Sequence, residues 1–294
     1  MRESARLAKL VLAGALAVLS CSGVGGGAPT LSDVQNEIDG GHLEAAVDKA
    51  EAARDKNPDS VPIRIMLAEA NYKLAREALE AGREGDYTDR LGRAQAELLA
   101  AAAIDPKSAD VHLWLGIILA YQGDIQASRT SFKNAYRLEP NHPVHALNLA
   151  EVSIYAGKLS SARRLLDKAK KRGGPRAIIE INEMLAAWRQ GDYVEARDLF
   201  DGVYAMNPDV VRTWNEAPVT DPIESFEDFT EFCCSHIACG PYMDKACKQM
   251  DLEVVRKSVM EETLRREVEL AAERRRRLKE IYDEHRELKI EIED

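Results

Sequence analysis

Four cysteines and a histidine crowd into the stretch from Cys233 to Cys247: Cys233, Cys234, His236, Cys239 and Cys247. Residues of these types can ligate zinc, form disulfides or act as reactive thiols. The spacing is C-C-x4-C-x7-C with the histidine inside, and it lacks the paired C-x-x-C knuckles of structural zinc sites. Two disulfides are therefore expected from Cys233, Cys234, Cys239 and Cys247, and no metal or cofactor is assigned. Adjacent cysteines rarely bridge each other, which leaves two pairings open: 233–239 with 234–247, or 233–247 with 234–239. Each closes a short loop worth about 2 to 3 kcal/mol in the chain-entropy model. The alternative reading gives this segment a thiol-disulfide or metal-binding role, carried by a thiolate of lowered pKa. Histidines elsewhere (His42, His112, His142, His145, His285) are scattered, and the chain has no Gly-rich phosphate loop, G-x-S-x-G or H-E-x-x-H. No enzyme activity and no small-molecule substrate are expected.

The fifth cysteine, Cys21, belongs to a different pattern. Arg2, Arg6 and Lys9 precede an apolar run from Leu10 to Leu19, followed by Ser20 and Cys21. This is the layout of an export signal. At ten residues the run is half of the roughly 20 that a membrane-spanning helix needs. Val18-Leu19-Ser20-Cys21 resembles the bacterial lipobox, which implies cleavage before Cys21 and lipidation of its thiol. Ser22 after the cysteine is similar to the class sorted to the outer membrane. Small residues from Ser22 to Pro29 suit a flexible tether. The expectation is a signal peptide at 1–20, a tether at 21–29, and a periplasm-facing lipoprotein of a bacterial cell envelope, held by a lipid anchor. With Cys21 set aside the remaining cysteines are even in number, as an oxidising compartment favours.

Composition is ordinary for a helical chain with a packed core: 45% of the 294 residues are hydrophobic and 31% charged. The net charge of -10 argues against a phosphate-coating protein, so nucleic acid is not an expected partner.

The elements that must position these residues are helical and repeat. Asn57-Pro58, Asp105-Pro106, Glu139-Pro140 and Asn207-Pro208 end Ala-rich runs, and Gly173-Gly174-Pro175 marks a similar stop. Pro106, Pro140, Pro175 and Pro208 are spaced by 34, 35 and 33 residues. About 17 residues before each stop comes Gly, a polar residue and a large apolar one: Gly41-His42-Leu43, Gly85-Asp86-Tyr87, Gly123-Asp124-Ile125, Gly157-Lys158-Leu159 and Gly191-Asp192-Tyr193. Such a triplet closes one helix and opens the next. Small residues follow at fixed offsets (Ala46, Ala94, Ser128, Ala162, Ala196), then bulky ones four later (Leu98, Phe132, Leu166, Phe200), then Ala53, Ala101, Ala135, Ala169 and Val203. Steps of four and three put them on one helical face. Leu67-Ala68, Leu115-Gly116 and Leu149-Ala150 allow close crossing in the first helices.

With this period and these positions the chain resembles the tetratricopeptide repeat family, with five repeats over 30–208. The resemblance implies an all-α solenoid of helical hairpins whose concave wall, lined by the first helix of each hairpin, binds proteins. Its inner positions fall on Ile65, Glu69, Tyr72 and Lys73, on Leu113, Ile117 and Tyr121, on Leu147, Glu151, Ile154 and Tyr155, and on Ile181, Leu185, Trp188 and Arg189. Tyr72, Tyr121, Tyr155 and Trp188 recur once per repeat. Such rings either meet a partner at low entropic cost or pack against neighbouring helices and the chain's own tail. Leu113, Leu147 and Ile181 stand where carboxylate-clamping members of the family present Asn, so recognition is expected to rely on apolar burial. The first repeat has a short first helix. The second carries about 14 extra residues, expected in a first helix lengthened through Leu79 and a loop at 82–88.

After Pro208 the periodicity stops. Ser225 can cap a short acidic helix bearing Phe226, Phe229 and Phe232, so 209–250 is expected as a Cys-rich cap on the last repeat. From 251 to 294 there is no Pro or Gly, and 11 basic residues stand against 14 acidic ones. One long charged helix is expected, solvated or self-associating, with Leu264, Val268, Ala271, Leu278, Tyr282 and Ile292 in a stripe interrupted by Arg275, His285 and Lys289. The chain as a whole is expected to be a scaffold for protein partners in the cell envelope, assisting assembly of an outer-membrane or secretion complex.

Overall fold

Ten helices follow one another from Leu31 to Met206 in the computed structural model, which describes residues 29–206 and, further on, 260–261, 264–266, 268–277 and 279–280. They are α1 (Leu31–Asp39), α2 (Leu43–Lys56), α3 (Val61–Glu80), α4 (Glu84–Ile104), α5 (Ala109–Tyr121), α6 (Ile125–Leu138), α7 (Pro143–Tyr155), α8 (Leu159–Lys171), α9 (Arg176–Gln190) and α10 (Tyr193–Met206). Among the described residues there is no strand. Consecutive pairs pack as five antiparallel hairpins, and each hairpin packs on the next. α1, at nine residues, is the short first helix that the sequence suggested.

Each first helix stops in the same way. A residue with left-handed φ follows it, and the next N–H reaches back five residues: His42 to the Glu37 carbonyl, Arg83 to Ala78, Asp124 to Leu119, Lys158 to Ser153 and Asp192 to Ala187, at 2.7 to 3.0 Å. This satisfies a carbonyl that the helix end would otherwise leave orphaned. Asp124 then caps α6, its carboxylate accepting from the Ala127 N–H at 2.9 Å. Ser108 caps α5 through the Val111 N–H at 3.3 Å.

The second hairpin departs from the expected boundary. Its turn is at Gly82 (φ +70°), not Gly85, and residues 84–88 are helical where a loop was expected. Gly85-Asp86-Tyr87 imitates the turn triplets of the other hairpins, but Glu84 and Asp86 lie in the first turn of α4, where carboxylates suit the positive end of a helix. The extra residues lengthen both arms: α3 has 20 residues against 13 in α5, and α4 has 21 against 14 in α6.

The core lies along the seam between the arms. Ala46, Ala94, Ser128, Ala162 and Ala196 are fully buried, as are Leu98, Phe132 and Leu166, with Phe200 nearly so. The small residues are needed for contact. A Cβ on Gly116 would stand 2.6 Å from the Phe132 ring, and the Ser128 hydroxyl donates to the Gly116 carbonyl at 2.7 Å. On the outside, Glu97 of α4 joins Arg54 of α2 (2.7 Å) and Arg64 of α3 (2.5 Å), tying the first two hairpins together.

The chain divides into two compact units, 1–248 and 249–294. The hairpins belong to the first. Within the second, residues 260–261, 264–266, 268–277 and 279–280 are helical and nearly all exposed. Cys21, the tether, the Phe226 to Phe232 segment and Cys233, Cys234, Cys239 and Cys247 lie outside the described residues. Among the described residues no helix is long and apolar enough to cross a membrane, and no cluster of His, Cys, Asp and Glu could hold a metal.

Candidate protein-binding wall

First helices of successive hairpins touch one another, α1 with α3, α3 with α5 and α7 with α9. Their shared face forms a wall opposite the second helices. Three columns cross it at intervals of 34 residues: Leu113, Leu147 and Ile181; Ile117, Glu151 and Leu185; Tyr121, Tyr155 and Arg189.

Most residues expected on this wall are buried in the structure. Tyr72 and Tyr121 are 1% exposed, Tyr155 5% and Trp188 0%, and Leu113, Ile117, Leu147, Ile154, Ile181 and Leu185 are also buried. Of the two roles open to the rings, packing is the one observed. Tyr72 meets Tyr121 of the next first helix edge-on, with centroids 4.8 Å apart, and Trp114 at 5.9 Å. Trp188 meets Tyr193 at 6.3 Å. An open aromatic ladder is thus not present; rings as large as these fill the space between adjacent first helices before they face outward.

Ile65, Glu69, Lys73 and Arg189 are the partly exposed members. Glu69 pairs with Lys73 at 3.2 Å, and partial burial still pushes its carboxyl above the ordinary range. The Arg189 guanidinium donates to the Ile154 carbonyl near the end of α7, which fixes α9 against α7.

Glu151 stands apart. It occupies a column whose neighbours are Ile117 and Leu185, it is 1% exposed, and neither carboxylate oxygen has a hydrogen-bond partner. Burial alone pushes its carboxyl well above the ordinary range. Next to this column, the Trp188 indole N–H and the Asn148 side-chain nitrogen are also buried without a partner. Buried polar groups in folded chains are nearly always hydrogen-bonded, so a concentration of exceptions on α7 and α9 marks a site.

The family model for the tetratricopeptide repeat matches three overlapping stretches, 72–143, 116–178 and 147–211. The chain carries tetratricopeptide repeats. A solved structure, the APC/C hetero-tetramer Cut9-Hcn1, shares the fold with a TM-score of 0.50 at 13% identity, over 74% of this chain and 41% of that one. A thermophilic tetratricopeptide protein of Thermus thermophilus is 23% identical over 54% of this chain and 79% of that one, with a TM-score of 0.47. Among curated proteins, a probable biofilm formation methyltransferase of Pseudomonas putida, WspC, is 38% identical over 68 residues. That match spans 23% of this chain and 16% of the methyltransferase. Proteins with such repeats mediate protein–protein interactions, and this is the level at which the repeats themselves assign a role.

Two residues with structural weight on this wall were not legible as such. Tyr87 read as part of a turn and instead reaches Tyr121. Trp114 stands where the other first helices have Met66, Asn148 and Asn182, so no repeated residue type signals its ring contact with Tyr72.

Proposed function

We propose that the chain is an adaptor that holds a protein segment on the first-helix wall at α5, α7 and α9, a segment whose entry displaces the packing over Glu151 and makes its carboxyl the polar anchor of an otherwise apolar grip. The single observation that carries this is the buried, unpartnered Glu151 carboxyl in the column of Ile117 and Leu185. Retaining a carboxyl there costs on the order of 1 to 3 kcal/mol relative to a partnered group. A partner that supplies an N–H or ammonium donor recovers that cost, whereas an aliphatic residue would never have incurred it. Apolar neighbours supply affinity and the one polar group supplies register.

Site-specific photocrosslinking in cells tests it. A crosslinker at Lys73 or Arg189 is expected to trap one discrete partner, and Glu151→Leu is expected to abolish the adduct while the helical content stays unchanged. An adduct that survives Glu151→Leu, or that forms equally from Lys133 on α6, would move binding away from this wall.

The setting we propose is the bacterial cell envelope, with lipid on Cys21, the partner among envelope proteins, and assembly of an outer-membrane or secretion complex as the task. The charged and apolar layout of residues 2–19 before Cys21 supports it. Metabolic labelling with a clickable fatty acid is expected to mark the wild-type chain and not Cys21→Ser; equal labelling would exclude this anchor. The alternative role of the Cys233 to Cys247 segment is separated by alkylation, since disulfides label only after reduction and a working thiol labels before it.

A further inference from the structure

The second unit carries a face that nothing in the adaptor reading uses. Met260, Leu264 and Val268 are 67%, 62% and 63% exposed, and Ala271 is exposed on the same face. Steps of 4, 4 and 3 residues keep these four within about 80° of arc on a helix turning 100° per residue. Charge along the same helix is segregated. Residues 261–273 hold five acidic and two basic side chains, whereas 274–280 hold five basic and one acidic. Net charge therefore runs from -3 to +4 in twenty residues. Within the helix, Arg265 pairs with Glu269 at 2.9 Å and Arg277 with Glu273 at 2.7 Å, both along the exposed surface.

We infer that this helix is a self-association element, and that its occupant is the same helix of a second copy, running antiparallel. Parallel pairing would lay acid on acid and base on base. Antiparallel pairing lays the 261–273 half of each copy along the 274–280 half of the other, with the crossing near Ala271, whose small side chain allows close approach. Arg275 continues the apolar stripe and, in this arrangement, comes opposite Val268, where its methylenes cover the valine while the guanidinium reaches the partner's acidic flank. A lipid surface is the lesser fit, because the stripe is narrow and Glu261 lies beside it, where anionic headgroups would repel it.

Sedimentation of the full chain tests the inference. The expected mass is that of two chains, falling to one for Leu264→Asp with Val268→Asp. If those changes melt the helix, a charge series keeps the question open to refutation, since Glu, Lys and Arg are all good helix formers. Replacing Arg274, Arg275, Arg276 and Arg277 by Glu is expected to give single chains. Adding Glu261→Lys, Glu269→Lys and Glu273→Lys to that variant is expected to restore the two-chain mass. Two results would overturn the inference: a single-chain mass for wild type, or a two-chain mass indifferent to these substitutions. Sedimentation of the wild-type chain with vesicles of anionic phospholipid, lost on Leu264→Asp, would likewise overturn it in favour of a membrane.

Discussion

The Tyr87 hydroxyl, on the second arm of the lengthened hairpin, donates to the main-chain carbonyl of Tyr121 at the end of α5. The last four carbonyls of a helix have no partner inside it. The long arm of one hairpin therefore finishes the first helix of the next, and the contact lies beside the Tyr72 and Tyr121 ring pair.

Tyr87→Phe removes this donor and leaves the carbonyl buried. A loss of about 1 to 2 kcal/mol is expected in urea unfolding. Burial pushes the Tyr87 phenol far above its ordinary range, so the donor is present at every accessible pH and the loss should not vary between acid and mildly alkaline buffer.

Gly116→Ala places a methyl 2.6 Å from a Phe132 ring that is itself fully buried and has no room to swing. Overpacking of this kind costs about 1 to 3 kcal/mol. The double variant with Phe132→Leu is expected to recover part of it; equal instability of both would place the cost elsewhere than in this contact.

Glu151→Gln tests the buried carboxyl through pH. The folded chain keeps this proton to a higher pH than the unfolded chain, whose carboxyl titrates near about 4.3. The wild type is therefore most stable below that value and loses stability as pH rises from it toward the raised folded value, at no more than about 1.4 kcal/mol per pH unit for one proton. Glu151→Gln is expected to flatten this slope and to be the more stable chain at neutral pH. A wild-type profile as flat as the variant's would show that the carboxyl is solvated.

Glu97→Gln breaks both arms of the Arg54 and Arg64 clamp. With side-chain exposures of 26%, 15% and 15%, the three groups are too covered for water to replace the pairing fully. A loss of about 2 kcal/mol is expected, confined to the first two hairpins. Hydrogen exchange should quicken in α2 and α3 and stay unchanged in α7 to α10.

Local chemistry made the hairpins legible: the proline stops, the Ala46, Ala94 and Ser128 column and the Gly116 approach follow from steps of three, four and 34 residues. Gly85 misled because a turn triplet is a three-residue signal, while the choice between Gly82 and Gly85 depends on the length of α3, which its neighbours set. The rings were ambiguous for another reason. Tyr and Trp suit a packed seam and an exposed groove equally, and only the spacing between first helices decides. Glu151 was nameable as a wall residue, but that it is buried and unpartnered is a three-dimensional fact with no counterpart in residue order.

The lengthened hairpin carries a consequence for how such a stack can vary. Seven residues are two helical turns to within about 20°, so adding seven to each arm returns every side chain to its former phase and leaves the base of the hairpin, where it meets its neighbours, unaltered. Growth by five residues would rotate the core stripe about 140° out of the seam, and growth of one arm alone would leave its added turns without a partner arm. Reach is therefore adjustable in double-turn steps that keep the phase of the seam, and the added turns can still engage the next hairpin, as Tyr87 near the start of α4 does at the Tyr121 carbonyl.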